Sequence, residues 1–344
     1  MSCGSPDGNR LFWLHLSVTR EMQSLADVLR GADDALRAGL SAAPRVWPTG
    51  FTALDTYLGG GLRAGELTLL GGPQGLGKTT FALQAMRNIA EAGGSAVYFS
   101  FEHEEEMLLE RLLCIEAAAA AGAEAMSMAA VHKAMAADPS AKGLTDRLAR
   151  LPGGSEALAG VQEWGPRLLV RRCGSATTMA DIAATVDSVT GDRPVVVVDY
   201  LQKIAGSTPG VEDERVTAVV QDLKDLALRC ELPVLSIVAA DKEGIAEGRR
   251  LRIQHLRGST ALAYEADVVL IMNDKFDVVA RHHLVYNVGN AERFRDWVVV
   301  TIEKNRSGLD RIDLEFEKQF AQGRFEPAGQ VVGEQLVDER VFVE

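Results

Sequence analysis

The segment Gly72-Pro73-Gln74-Gly75-Leu76-Gly77-Lys78-Thr79 brings together residue types suited to holding a phosphate chain. It fits the spacing G-x-x-x-x-G-K-[ST], which average composition would produce by chance in roughly 1 of 100 chains of this length. Glycines without a Cβ let successive backbone N–H groups converge on phosphate oxygens. Lys78 is placed to reach β- and γ-phosphate oxygens and the Thr79 hydroxyl to ligate Mg2+. Gly72 through Thr80 are therefore candidate contacts to a nucleoside triphosphate, with ATP and Mg2+ as the expected cofactors. A glycine-rich turn without function is the bland alternative, and the strand before the segment and the helix after it disfavour that reading.

Two acids complete the candidate chemistry. Asp199 closes the apolar run Val195–Val198, and an aspartate at the C-terminal tip of a parallel strand lies where α/β sheets bind ligands. With Thr79 it is the candidate metal site. Glu102 follows the strand-like Val97–Phe101 and is the candidate to orient or activate water. Glu104, Glu105 and Glu106 suit the first turn of a helix, where negative charge meets the positive dipole end.

The elements that must position these residues read as alternating strands and helices. Strands are expected at 66–71, 96–101, 167–172, 195–198, 234–238, 268–272, 297–303 and 312–316. Helices are expected at 79–92, 104–121, 179–189 and 214–230, with the Ala/Met-rich 117–137 continuing as helix. Short apolar runs bounded by turn signals are what buried parallel strands look like. The order predicts an α/β fold with a mainly parallel central sheet flanked by helices, extended antiparallel by the late strands. Residues 21–40 read as an amphipathic helix with Met22, Leu25, Val28, Leu29 and Leu36 on one face. It belongs to an N-terminal arm, 1–45, able to dock on its own chain or on a neighbouring subunit. The main domain is expected over 46–327 and a C-terminal tail over 328–344.

Composition sets the bounds. The 344 residues carry 48 acidic against 36 basic side chains, a net charge of -12. That balance favours solubility and gives no global attraction to nucleic acid, although a local basic channel is compatible with it. Arg249, Arg250, Arg252 and Arg257 form the most basic stretch, either a channel loop or a solvated one. Cys3, Cys114, Cys173 and Cys230 show no C-x-x-C spacing, so neither a zinc site nor a disulfide framework is expected. No apolar run is long enough to span a membrane. Asp7, His15 and Glu21 interrupt the only N-terminal apolar patch, so no secretory signal is read there and a cytoplasmic location is expected.

Further segments carry a resemblance. Gly50-Phe51-Thr52-x-Leu54-Asp55, Gly59-Gly60-Gly61-Leu62, Gly65-Glu66-Leu67 and the phosphate loop resemble the opening of a RecA-like ATPase core, shared by DnaB-type replicative helicases and KaiC- or RadA-like ATPases. Asp199-Tyr200-Leu201-Gln202 is similar to a signature of the DnaB helicase C-terminal domain. His255-Leu256-Arg257-Gly258-Ser259 through Glu265-Ala266-Asp267 resembles that family's DNA-facing loop, and Glu303-Lys304-Asn305-Arg306-Ser307-Gly308 its finger segment. The resemblance implies a RecA-like P-loop NTPase core in a ring oligomer, expected as a hexamer. ATP would lie between subunits, Lys304 and Arg306 would be finger residues for a neighbour's γ-phosphate, and Arg257 a contact to single-stranded DNA. Replication or regulatory proteins are further implied partners.

The chain also departs from that pattern. Only about 45 residues precede the core, and Ala239 stands where the family usually has a polar sensor. An alanine side chain has no donor or acceptor to relay the state of a phosphate. Three functions are therefore compared: a DNA helicase or translocase, a KaiC-like regulatory ATPase acting on a protein partner, and a purely structural nucleotide binder, which Glu102 and the finger segment disfavour.

Overall fold

A computed structural model describes residues 22–136, 142–189, 193–206, 212–241, 249–285 and 288–338. Contacts divide the chain into two units, 1–45 and 46–344. In the first, Leu25–Arg37 is a helix whose N-terminus carries a reciprocal capping box between Ser24 and Asp27. Met22, Leu25, Leu29 and Leu36 are exposed, and none of the helix is buried.

The second unit opens with a small antiparallel ribbon, β1 (Val46–Trp47) with β2 (Leu62–Arg63). The turn between them is fixed by Asp55, whose carboxylate accepts from Thr49 N, Thr49 Oγ1 and Gly50 N at 2.7–2.9 Å. A ten-stranded sheet follows. Its strands are β3 (Leu67–Gly71), β4 (Ala96–Ser100), β5 (Leu168–Arg172), β6 (Val195–Asp199), β7 (Val234–Val238), β8 (Val268–Asp274), β9 (Trp297–Asn305), β10 (Ile312–Gln319), β11 (Arg324–Phe325) and β12 (Gln330–Val331). Their spatial order is β11-β10-β9-β8-β3-β7-β6-β4-β5, with β12 also on β10. The pairs from β8 through β3 to β5 are parallel, and β9 to β12 add antiparallel. The expected α/β architecture is therefore what the chain adopts.

Period-2 alternation sends each strand's side chains to two cores. Val195 and Val197 face the same core as Leu70 and the helix Lys78–Glu91, whereas Val196 and Val198 join Leu67, Leu69 and the helices Met179–Ser188 and Glu212–Cys230. Aromatics fill the first core beneath the phosphate loop. Phe51 stacks on Phe81 at 3.9 Å between centroids, and Phe316 and Phe325 meet Phe81 edge-on.

Three local readings change. The Ala/Met-rich stretch does not stay helical throughout: Glu105–Ala121 ends at Gly122, a short 3-10 turn intervenes, and Met128–Met135 starts anew on a Ser127 cap. Helices Leu144–Leu148 and Gly154–Trp164, unread from sequence, pack with it as a third small core. Gly154 and Gly160 weaken the helical signal; a Cβ on Gly154 would lie 1.8 Å from the Leu148 carbonyl oxygen. Residues 328–338, read as tail, lie against the main domain: β12 pairs with β10, Glu334 with Lys275, and Arg252 with Asp338.

Candidate nucleotide site

Parallel strands share an edge for their carboxyl ends. Gly71 of β3 pairs with Val238 of β7, and Ser100 of β4 with Asp199 of β6. The phosphate loop, Glu102 and Asp199 therefore emerge on one rim, although β7 and β6 separate β3 from β4. They line one cavity of 610 Å3, to which Gly72, Gln74, Gly75, Gly77, Lys78, Thr79 and Thr80 all contribute. Leu76 instead packs on the core, and Pro73 offers its carbonyl to Lys78.

The loop's conformation requires glycine at Gly77. It has φ +86° and caps the helix Lys78–Glu91, and an added Cβ would stand 2.9 Å from the Phe325 ring and 3.0 Å from that of Phe320. Lys78 Nζ donates to the carbonyls of Gly72 and Pro73, each at 2.7 Å. Burial lowers its pKa, opposed by the charges of Asp199 and Glu102. A partly desolvated ammonium at a helix N-terminus is matched by an anion.

Asp199 is buried, and its Oδ2 accepts from Thr79 Oγ1 at 2.7 Å and from Tyr98 OH at 2.8 Å. Hydroxyl and carboxylate oxygens this close are the hard donors that Mg2+ prefers. Tyr98 is fully buried, and burial followed by the Asp199 charge pushes its phenol well above the ordinary value. It thus remains a donor. Glu102 is exposed at the rim, in a turn held by Ser100, whose Oγ donates to the His103 carbonyl and accepts from His103 N. Glu104 pairs with Arg172 at 2.6 Å and Glu105 accepts from Arg172 N, which fits their reading as a helix start.

Sequence reasoning missed four residues of this cavity: Tyr98, Arg111, Met128 and Phe320. Tyr98 reads as one more core residue of a strand. Its role follows only from the register that sets β4 beside β6. Met128 and Phe320 are far apart in sequence, and only the fold brings them together.

The remaining candidates lie elsewhere. Lys304 pairs in register with Val269, near the start of β8, and its Nζ donates to the carbonyls of Ala263, Tyr264 and Ala266. Burial, then the charge of Arg306, lowers its pKa. Arg306 donates to Tyr264 O and lies 3.5 Å from Asp267. Backbone bonds from Arg306 to Asp267 and from Asp267 to Leu67 place it level with the start of β3. Gly72 then lies roughly 15 Å further along, at ~3.3 Å per residue.

The basic stretch is not one open surface. Arg250 is buried with Thr301 and Asp313, and Arg252 pairs with Glu303 and Asp338, so both are internal ties rather than channel cations. Arg257 is half exposed and ion-paired with Glu212. Ala239 lines the cavity; its N–H donates to Gln202 Oε1 at 3.1 Å, and Gln202 Nε2 donates to the Arg257 carbonyl at 3.3 Å.

The family model "DnaB-like helicase C terminal domain" matches residues 47–326. The chain belongs to this family. Two solved structures share the fold of this DnaB-type domain. One is an isolated ATPase domain (TM-score 0.69, 18% identity, 89% of this chain and 99% of that one). The other is a DnaB-like replicative helicase studied with primase (TM-score 0.69, 18% identity, 93% and 70%). Among sequence relatives, Protein RecA of Mycobacterium sp. (strain KMS) is 38% identical over 104 residues, 30% of this chain and 28% of that protein. DNA repair protein RadA of Mycolicibacterium smegmatis is 48% identical over 58 residues, 17% and 12%. The matched stretch thus spans little more than a quarter of the RecA proteins. The DnaB-type chain is a RecA-like P-loop ATPase, a class that uses nucleotide and a divalent metal. Among the described residues no helix is long and apolar enough to cross a membrane.

Proposed function

We propose that the chain is the Mg-ATP-driven motor of a ring, expected as a hexamer, that moves on single-stranded DNA in replication or repair. The observation that carries this is the position of Lys304 and Arg306. They stand at the opposite end of the sheet from their own phosphate loop, while Glu102 and Asp199 stand beside it. Such a site is completed by the next subunit, a head-to-tail contact that closes into a ring.

In this reading the N–H groups of the loop and Lys78 bind the β- and γ-phosphates. Thr79 and Asp199 hold Mg2+, which when bound neutralises phosphate charge. Tyr98 keeps Asp199 oriented. Glu102 orients water for in-line attack and accepts its proton. The neighbour's Lys304 and Arg306 stabilise the charge that develops, an effect of roughly 10³–10⁵ in related hydrolases. Arg257 and its loop would face the DNA, joined to the cavity wall at Ala239 through Gln202. The exposed apolar face of Leu25–Arg37 is suited to a subunit contact.

A KaiC-like regulator of a protein partner is the second reading. The inward pairing of Arg250 and Arg252 favours it, since it removes two cations from any DNA channel. ATP turnover with and without single-stranded DNA, across a salt series, separates the two. A motor is stimulated, and the stimulation falls with salt; a regulator shows neither stimulation nor binding at low salt.

A further inference from the structure

Arg111 lies on the helix Glu105–Ala121, which packs against both the phosphate-loop helix and the strand Arg324–Phe325. It lines the nucleotide cavity, half-buried. Its NH1 donates to Thr80 Oγ1 at 3.3 Å, and its Nε is buried without a hydrogen-bond partner. Among the described residues no carboxylate pairs with it. A guanidinium withdrawn from water without a counter-charge costs free energy, and an anion in the cavity offsets that cost.

The geometry says which part of an anion it would meet. Successive hydroxyls of the phosphate-loop helix turn to opposite partners: Thr79 to the Asp199 carboxylate, Thr80 to the Arg111 guanidinium. The first direction is the metal and γ-phosphate side. On the second, the cavity wall is apolar: Met128, the Phe320 ring and Gly323. Gln84 ties that wall to the same helix through two bonds to the Phe325 backbone, each 2.8 Å. An apolar wall with an exposed aromatic accepts the nucleoside end of a nucleotide, so the phosphate nearest to it is the α-phosphate.

We propose that Arg111 is a nucleotide-binding residue contributed by the same subunit, contacting the α-phosphate and holding Thr80 so that its hydroxyl proton is free to do likewise. This rests on the nucleotide reading of the cavity. It predicts a contact made equally to ADP and ATP, unlike a finger residue, which meets only the γ-phosphate.

The test is calorimetric titration of the full chain with Mg-ADP and with a non-hydrolysable ATP analogue. Wild type is compared with Arg111→Met, Arg111→Gln and Lys78→Ala, with melting temperatures alongside. Met preserves the aliphatic stem, and Arg111 has no ion pair to lose, so the fold should hold. Loss of a hydrogen bond to a charged group predicts at least ~10-fold weaker binding of both ligands by both Arg111 variants. Unchanged ADP affinity in either folded variant, or a loss confined to the ATP analogue, overturns the assignment. If wild type binds neither ligand, the nucleotide reading of the cavity fails first, and this inference with it.

Discussion

Asp199 is a buried carboxylate held by two neutral hydroxyls, those of Thr79 and Tyr98, with no ion pair among the described residues. That arrangement orients the charge and leaves it for a metal. The Tyr98 phenol, raised by burial and by Asp199 itself, keeps its proton, so the support persists well into the alkaline range. Tyr98→Phe leaves a buried acceptor short of one donor and should cost about 1–3 kcal/mol of stability. It should also raise the Mg2+ concentration needed for half-maximal turnover. Thermal melts and a Mg2+ titration check both effects, and wild-type values in the two would remove Tyr98 from the site. The thiols contribute nothing here: burial pushes Cys114 up to about 12, far from a reactive thiolate.

At the scale of elements, the phosphate loop and the strand ending at Asp199 were legible because their signals are local. One is a spacing of glycines before Lys-Thr. The other is an apolar run long enough for a strand buried on both faces. What sequence did not reveal is lateral. Nothing in Val234–Val238 says that it separates β3 from β6, and nothing in Phe320 says that its ring covers Gly77. The arginines at 250 and 252 look like surface charge until Asp313, Glu303 and Asp338 are seen beside them. The junction at Gly77 gives a prediction of its own. A methyl there meets two aromatic rings and a left-handed backbone that disfavours L side chains by roughly 1–2 kcal/mol. Gly77→Ala should therefore lower both melting temperature and ADP affinity, read by the same melts and titrations; an unaffected loop would contradict the packing described.

For the whole molecule, the decisive feature is that the pieces of one proposed catalytic site stand at two ends of one sheet. Lys78, Glu102 and Asp199 occupy the carboxyl rim; Lys304 and Arg306 lie near the start of β3 and β8. The sequence resemblance suggested a site shared between subunits, but only the antiparallel return of β9 supplies the physical reason, because it carries the finger segment away from its own loop. Lys78→Ala keeps its finger and loses its phosphate site; Arg306→Ala does the reverse. The most direct test is ATP turnover by each variant alone and by an equal mixture allowed to reassemble. Each variant alone should be nearly inactive. In the mixture, the interfaces that pair an intact loop with an intact finger amount to about a quarter under random head-to-tail assembly, and turnover should recover toward that fraction of wild type. Full activity of Arg306→Ala alone, or a mixture no more active than its parts, would contradict the shared site.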